Sequence, residues 1–202
     1  MTTTLLSAVL AVALATTALA QARRPPATVP LFLDTLVAAA VEQTRHQVTY
    51  DGSYRVIPYP NGDVPANIGV CTDVIIRAYR AVHIDLQRLV HEDMRSAFSS
   101  YPSLWGLKRP DRNIDHRRVP NLQTFFRRQG AQRPGSSNGA DYQAGDVVTW
   151  MLPGNLPHIG VVSSTRASSG RLMMVHNIGR GPQLEDVLFN YDVTGHYRYR
   201  GQ

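Results

Sequence analysis

The sequence predicts a single α+β domain, helical first and β afterwards. Three observations carry that reading. Apolar residues recur at helical spacing in four stretches before residue 130. From Gly145 onward the pattern changes to short runs rich in Val, Ile and Met, separated by Gly, Pro and Asn turns. The chain has 202 residues with 43% hydrophobic and 18% charged content, enough for one globular domain with a full core. Helices followed by strands, rather than alternating with them, give an antiparallel sheet packed by helices.

Residues 1–20 read as a secretory signal peptide. Leu5 to Leu19 is an apolar, alanine-rich run too short to span a bilayer with margin, and Ala18-Leu19-Ala20 is a small-x-small cleavage pattern. No Lys or Arg precedes the run. Residues 21–30 form a Pro-rich linker, and residues 31–202 form the domain. No later run is apolar and long enough to cross a membrane. A secreted or periplasmic location follows. The net charge of +6 suits an anionic partner, such as cell-wall polymer or lipid headgroups. No nucleic-acid motif is visible.

Pro30 suits the start of a helix running to about His46, with Leu33, Leu36, Val37, Ala40 and Val41 on one face. Val48 to Ile57 reads as extended. A loop rich in Pro, Asn and Gly then leads to a helix from Cys71 to about Arg80. Asp85 caps another helix running to about Phe98, with Leu86, Leu89, Val90 and Met94 inward. Tyr101 to Pro120 is an irregular stretch of about twenty residues, a length that marks a functional loop. Pro120 opens a short helix with Leu122, Phe125 and Phe126 buried. Strands are expected at Val147–Trp150, His158–Ser163, Leu172–Asn177 and His196–Arg200.

Cys71 is the only cysteine. In an oxidising compartment it has no partner within the chain, which points to a reactive thiol or an intermolecular link. At a loop-to-helix junction, the helix dipole and free N–H groups favour the thiolate. Thr72 or Asp73 can cap or charge the first turn. A thiol nucleophile needs a base and a group that orients the base. His158 begins a strand, and His176 lies on the next one as a cross-strand neighbour. Asn177 points to the opposite face, so one of His176 and Asn177 orients His158, not both. His46, His83 and His91 read as solvated bystanders.

The order of a cysteine at a helix start, Gly-Asp-Val-Val-x-Trp, His-Ile-Gly-Val-Val and a second histidine resembles the NlpC-type cell-wall peptidases of the papain-like superfamily. In that family a Tyr and a Gly precede the nucleophile by about a dozen residues, and Tyr59 and Gly62 match them. Gly145–Val148 matches the family's Gly-Asp-Leu-Val strand, and His158–Gly160 its His-Val-Gly strand. The third polar residue falls at His176. The whole chain also resembles a bacterial exported family catalogued as a domain of unknown function, in the blocks NIDHRRVPNL, VHNIG and GHYRY. NlpC-type enzymes usually carry an Asp immediately before the cysteine, where it helps bind the substrate's amine. Here Val70 stands in that position and Asp73 follows two residues after the cysteine.

The resemblance implies a papain-like fold and a cysteine hydrolase that cuts an amide bond in peptidoglycan stem peptide, without metal or cofactor. Cys71 is the expected nucleophile, His158 the base and then the acid, and His176 its orienting group. The Cys71 N–H with the Tyr59 hydroxyl is the expected oxyanion site. Asp73, Arg117 and Arg118 are expected on the substrate side, the arginines as carboxylate binders. The alternatives are an amidase of the same fold that cuts between sugar and peptide, and a non-catalytic cell-wall-binding module. Metal hydrolysis is disfavoured, because His158 and His176 lack helical HxxxH or His-Cys spacing.

Overall fold

The computed structural model describes residues 29–201. The signal peptide and most of the linker read from the sequence lie outside the described residues.

Helix α1 (Val29–Glu42) starts one residue before Pro30 and continues as a 3-10 turn over Gln43–Arg45. Leu36, Val37 and Ala40 are buried, as their spacing predicts. Two-residue strands β1 (Thr49–Tyr50) and β2 (Ile68–Gly69) then pair in parallel. The rest of the stretch read as extended, up to Ile57, joins no ladder. Helix α2 spans Cys71–Ala81 and α3 spans Leu86–Ser96. Asp85 caps α3 by accepting from the Arg88 N–H at 3.1 Å. Helix α4 (Val119–Arg128) has Pro120 in its first turn, where the missing N–H costs nothing.

The sheet contains β3 (Val147–Leu152), β4 (Leu156–Arg166), β5 (Leu172–His176), β6 (Gln183–Glu185) and β7 (Asp192–Tyr197). The order is β6-β5-β4-β3-β7, antiparallel throughout. Val147 to Trp150 are all buried because the sheet is covered on both faces. On one face, Ile159, Val161 and Val175 pack with Leu36, Ile75, Tyr79 and Phe126 of the helices. On the other, Val148, Trp150, Val162 and Met174 pack with Tyr142 and Leu188 of the loops. Among the described residues no helix is long and apolar enough to cross a membrane.

Two expectations are corrected. The last strand covers Asp192–Tyr197, not 196–200. Tyr199 is buried in the helix-side core, but its neighbour Arg198 bonds through its backbone to the Ala131 carbonyl in a loop rather than to a strand. The three-residue β6 at the sheet edge was not expected at all.

Candidate active site

Cys71 is the first residue of α2, and the capping there explains its position. Val70 has no side-chain acceptor, so the turn is closed from the other side. Asp73 Oδ2 accepts from the Val70 N–H at 2.7 Å, the return half of a capping box. The parallel β1–β2 pair sets Tyr50 opposite Gly69, two residues before the cysteine. The Tyr50 hydroxyl therefore reaches both the Cys71 sulfur and the Cys71 backbone N–H. Sγ also accepts from the backbone N–H of Ile159, the residue after His158. The sulfur thus lies against β4, at the residue that follows His158 in the chain.

His158 and His176 meet across the β4–β5 ladder, but diagonally. His176 stands opposite Gly160, and His158 lies two residues earlier on the same face. The diagonal contact works because Gly160 has no side chain. A Cβ there would lie 2.9 Å from the Val175 carbonyl oxygen, 3.0 Å from His176 Cβ and 3.1 Å from the Trp150 ring. Trp150 sits opposite His158 on β3 and stacks on its ring at 5.8 Å, anchored by its indole N–H on the Leu188 carbonyl. His158 Nε2 lies 2.9 Å from His176 Nδ1. Asn177 faces away, its side-chain oxygen accepting from the Gly179 N–H, so of the two it is His176 that meets His158.

The line continues to a residue that the sequence did not single out. His176 Nε2 lies 2.9 Å from Glu185 Oε2 on β6. This carboxylate fixes every tautomer behind it. Glu185 can only accept, so His176 carries its proton on Nε2 and accepts at Nδ1. His158 then carries its proton on Nε2, which leaves Nδ1 with a free lone pair. That is the arrangement a base needs.

Burial decides the resting charge. His158 is 2% exposed, and burial followed by the neighbouring His176 pushes its pKa down to about 3. Burial also lowers His176, against the pull of Glu185. Burial pushes the Cys71 thiol up to about 11, outweighing the bonds from Tyr50 and Ile159, with Asp73 adding to the rise. The expectation of a thiolate at the helix N-terminus is therefore corrected. At rest the thiol and the imidazole are both neutral.

Three further expectations change. Tyr59 does not serve the oxyanion position; its ring sits against His91 at 5.3 Å, under the Arg112 guanidinium, and Tyr50 occupies the place expected for it. Gly62 is there for packing, since a Cβ would overlap the Pro58 carbonyl. Asp73 and Arg117 are not free for substrate. They form a buried bidentate pair at 2.9 and 2.9 Å, with side chains 4% and 2% exposed. Their partnership ties the 101–120 loop to the first turn of α2. Arg118 remains at the surface. It bonds Asp115 at 3.0 Å, and its guanidinium lies 4.0 Å from the centre of the Trp105 ring.

An open groove of about 640 Å³ runs past the sulfur, lined by Tyr50, Cys71, Leu104, Trp105, Arg118 and Asn155 among others. The 101–120 loop thus forms one wall of the groove. Leu104 and Trp105 are exposed on it rather than packed down.

The fold and the site together define a class: an α+β domain with a helix-borne cysteine and a carboxylate-anchored histidine pair on its sheet. Residues 37–199 match the family described as "Domain of unknown function (DUF1287)", and the chain belongs to that family. The chain is similar to "Uncharacterized protein YijF" of Escherichia coli (strain K12), at 53% identity over 178 residues, 87% of each chain. Among solved structures it is similar to NlpC1 from Trichomonas vaginalis, with a TM-score of 0.45 and 12% identity, over 84% of this chain and 45% of that one. That likeness is too loose to speak to chemistry. The element order nevertheless agrees with the NlpC-type pattern read from the sequence: a cysteine-bearing helix, then an antiparallel sheet bearing the histidines.

Proposed function

We propose that the protein is an exported cysteine hydrolase that cleaves an amide bond in peptidoglycan stem peptide. The observation that carries the reading is the hydrogen-bonded line from His158 through His176 to Glu185, which aims a basic nitrogen from a strand against which the Cys71 sulfur lies. As sulfur attacks the carbonyl carbon, His158 Nδ1 takes the thiol proton. The carbonyl oxygen becomes an oxyanion, which the Cys71 N–H and the Tyr50 hydroxyl stabilise. The tetrahedral intermediate collapses, the C–N bond breaks, and His158 protonates the departing amine. A thioester remains. Water then adds with His158 as base, the C–S bond breaks, and the thiol and a carboxylate product are released. Trp105 and Arg118 offer an aromatic face and a cation to a short peptide with a free carboxylate.

The test is mass spectrometry of purified wall fragments incubated with the protein. New termini between two amino acids are expected. Separation of sugar from intact peptide would make the protein an amidase instead, and no product at all would leave a binding module. Cys71→Ala should lower turnover by at least ~10⁴-fold. Glu185→Gln should cost about 10- to 100-fold, less than the ~10⁴-fold of a wrong tautomer in a buried triad, because the amide can still turn its oxygen to His176.

A further inference from the structure

A second groove, of about 780 Å³, is formed by residues 106–113 of the 101–120 loop and shares Tyr54 with the cysteine groove. It is lined by Arg95, Lys108, Arg109 and Arg112, with His91 in its wall and Asp111 as the only acid among its lining residues. Most arginines of the described chain are held by a carboxylate: Arg45, Arg55, Arg77, Arg80, Arg88, Arg117, Arg118, Arg128, Arg171 and Arg198 all are. Arg95, Lys108, Arg109 and Arg112 form no ion pair among the described residues. Asp111 makes no ion pair with them among the described residues. Its carboxylate accepts from the Tyr54 hydroxyl, from the Asn113 backbone N–H and from the Asn113 amide, at 2.9–3.0 Å.

Four like charges, all exposed, gather in one open concavity with no carboxylate paired to them among the described residues, which leaves it positive toward solvent. The wall itself is incomplete, since His91 Nδ1 is buried without a partner. Burial first, then Arg95 and Arg112, hold His91 below its ordinary pKa against the opposite pull of Glu92 and Asp111. The Arg112 guanidinium is already oriented over the Tyr59 ring, at 5.5 Å from its centre.

We propose that this groove is a phosphate site, taking a phosphate ester or pyrophosphate group. A single carboxylate needs one guanidinium fork. Three forks and an ammonium match a group with two or more negative charges and several acceptor oxygens. Tyr54 lines both this groove and the cysteine groove, so the phosphate-bearing part of a ligand held here ends next to the cysteine groove. The phosphate can belong to a soluble ester or to a lipid headgroup, and the same four cations would receive either. The inference does not depend on the hydrolase reading.

Calorimetry of the full chain with inorganic pyrophosphate tests the soluble source. Co-sedimentation with phosphatidic acid vesicles, against phosphatidylcholine vesicles, tests the lipid source. Both are run at low and high salt with Arg95→Gln/Arg112→Gln and Lys108→Gln/Arg109→Gln, and thermal melting confirms that each variant is folded. Pyrophosphate binding that weakens at least ~10-fold in both variants, and falls with salt, supports a soluble phosphate ligand. Binding to phosphatidic acid vesicles alone, with the same loss in both variants, supports a headgroup. Binding of neither probe, or binding that the variants leave unchanged, overturns the proposal.

Discussion

A buried thiol and a buried imidazole both rest neutral, each held so chiefly by its burial. His158 keeps its neutral form down to about pH 3, and the thiol keeps its proton up to about pH 11. Without substrate, Cys71 should therefore react with iodoacetamide at least ~10-fold more slowly than free cysteine at pH 7, with a rate that climbs toward pH 11. Faster labelling than free cysteine would mean that the proton sits on His158 instead. The acid limb of kcat/KM should likewise lie well below the ordinary imidazole range, because the base stays neutral there. The lone cysteine at a helix start and the contact of two histidines on neighbouring strands were legible. The contact of Tyr50 with the cysteine was not. Spacing along the chain favoured Tyr59, while the alternation that includes Tyr50 does not say where its hydroxyl ends. Glu185 was hidden on a strand of only three residues, which leaves no periodic trace.

Among the elements, the β4–β5 pair determines whether the histidines act as a unit. Gly160→Ala sets a methyl group against the Val175 carbonyl and the His176 Cβ, neither of which is the flexible end of a side chain. We expect a loss of about 1–3 kcal/mol in stability, typical of overpacking. We expect a larger proportional loss in kcat, because the 2.9 Å contact between the histidines opens. Urea melts and turnover on wall fragments measure both. A fall in stability with unchanged kcat would show that the contact is dispensable. The helices were readable because their apolar faces are long and periodic. Asp73 and Arg117 misled because an Arg-rich loop near a cysteine reads as a binding surface. Sequence does not reveal that the two side chains meet across 44 positions and cancel one another.

Across the whole molecule, three buried histidines make the fold sensitive to acid. His116 is 2% exposed, and burial together with Arg117 and Arg80 pushes it down to about 3. His158 and His176 are also lowered by burial. In the unfolded chain these groups take up protons near pH 6.5; in the fold they resist. The contribution of His116 and His158 is therefore full above about pH 6.5 and is lost as the pH drops toward 3, by ~1.4 kcal/mol per pH unit for each, and His176 acts in the same direction. His116→Gln should flatten that slope by about this amount in urea melts taken across the range. An unchanged slope would mean that His116 is protonated in the folded protein.

The family blocks in the sequence also become physical at this scale. In NIDHRRVPNL, Asp115 and Arg118 pair with each other while Arg117 reaches Asp73. In GHYRY, His196 and Arg198 converge on buried Asp146, at 2.7 Å each. Their charge-assisted bonds outweigh its desolvation and keep that carboxyl below its ordinary pKa. Tyr199 adds its carbonyl as acceptor for the Tyr79 hydroxyl, 120 positions away.

The closure of the core by residues 196–199 also ties the end of the domain to its middle. The aromatic cluster of Tyr79, Phe125 and Phe126 is completed by Tyr197 and Tyr199. Until residues 196–199 dock, the aromatic cluster lacks its lid and Asp146 lacks its partners, so the helices and the sheet finish packing together with that segment.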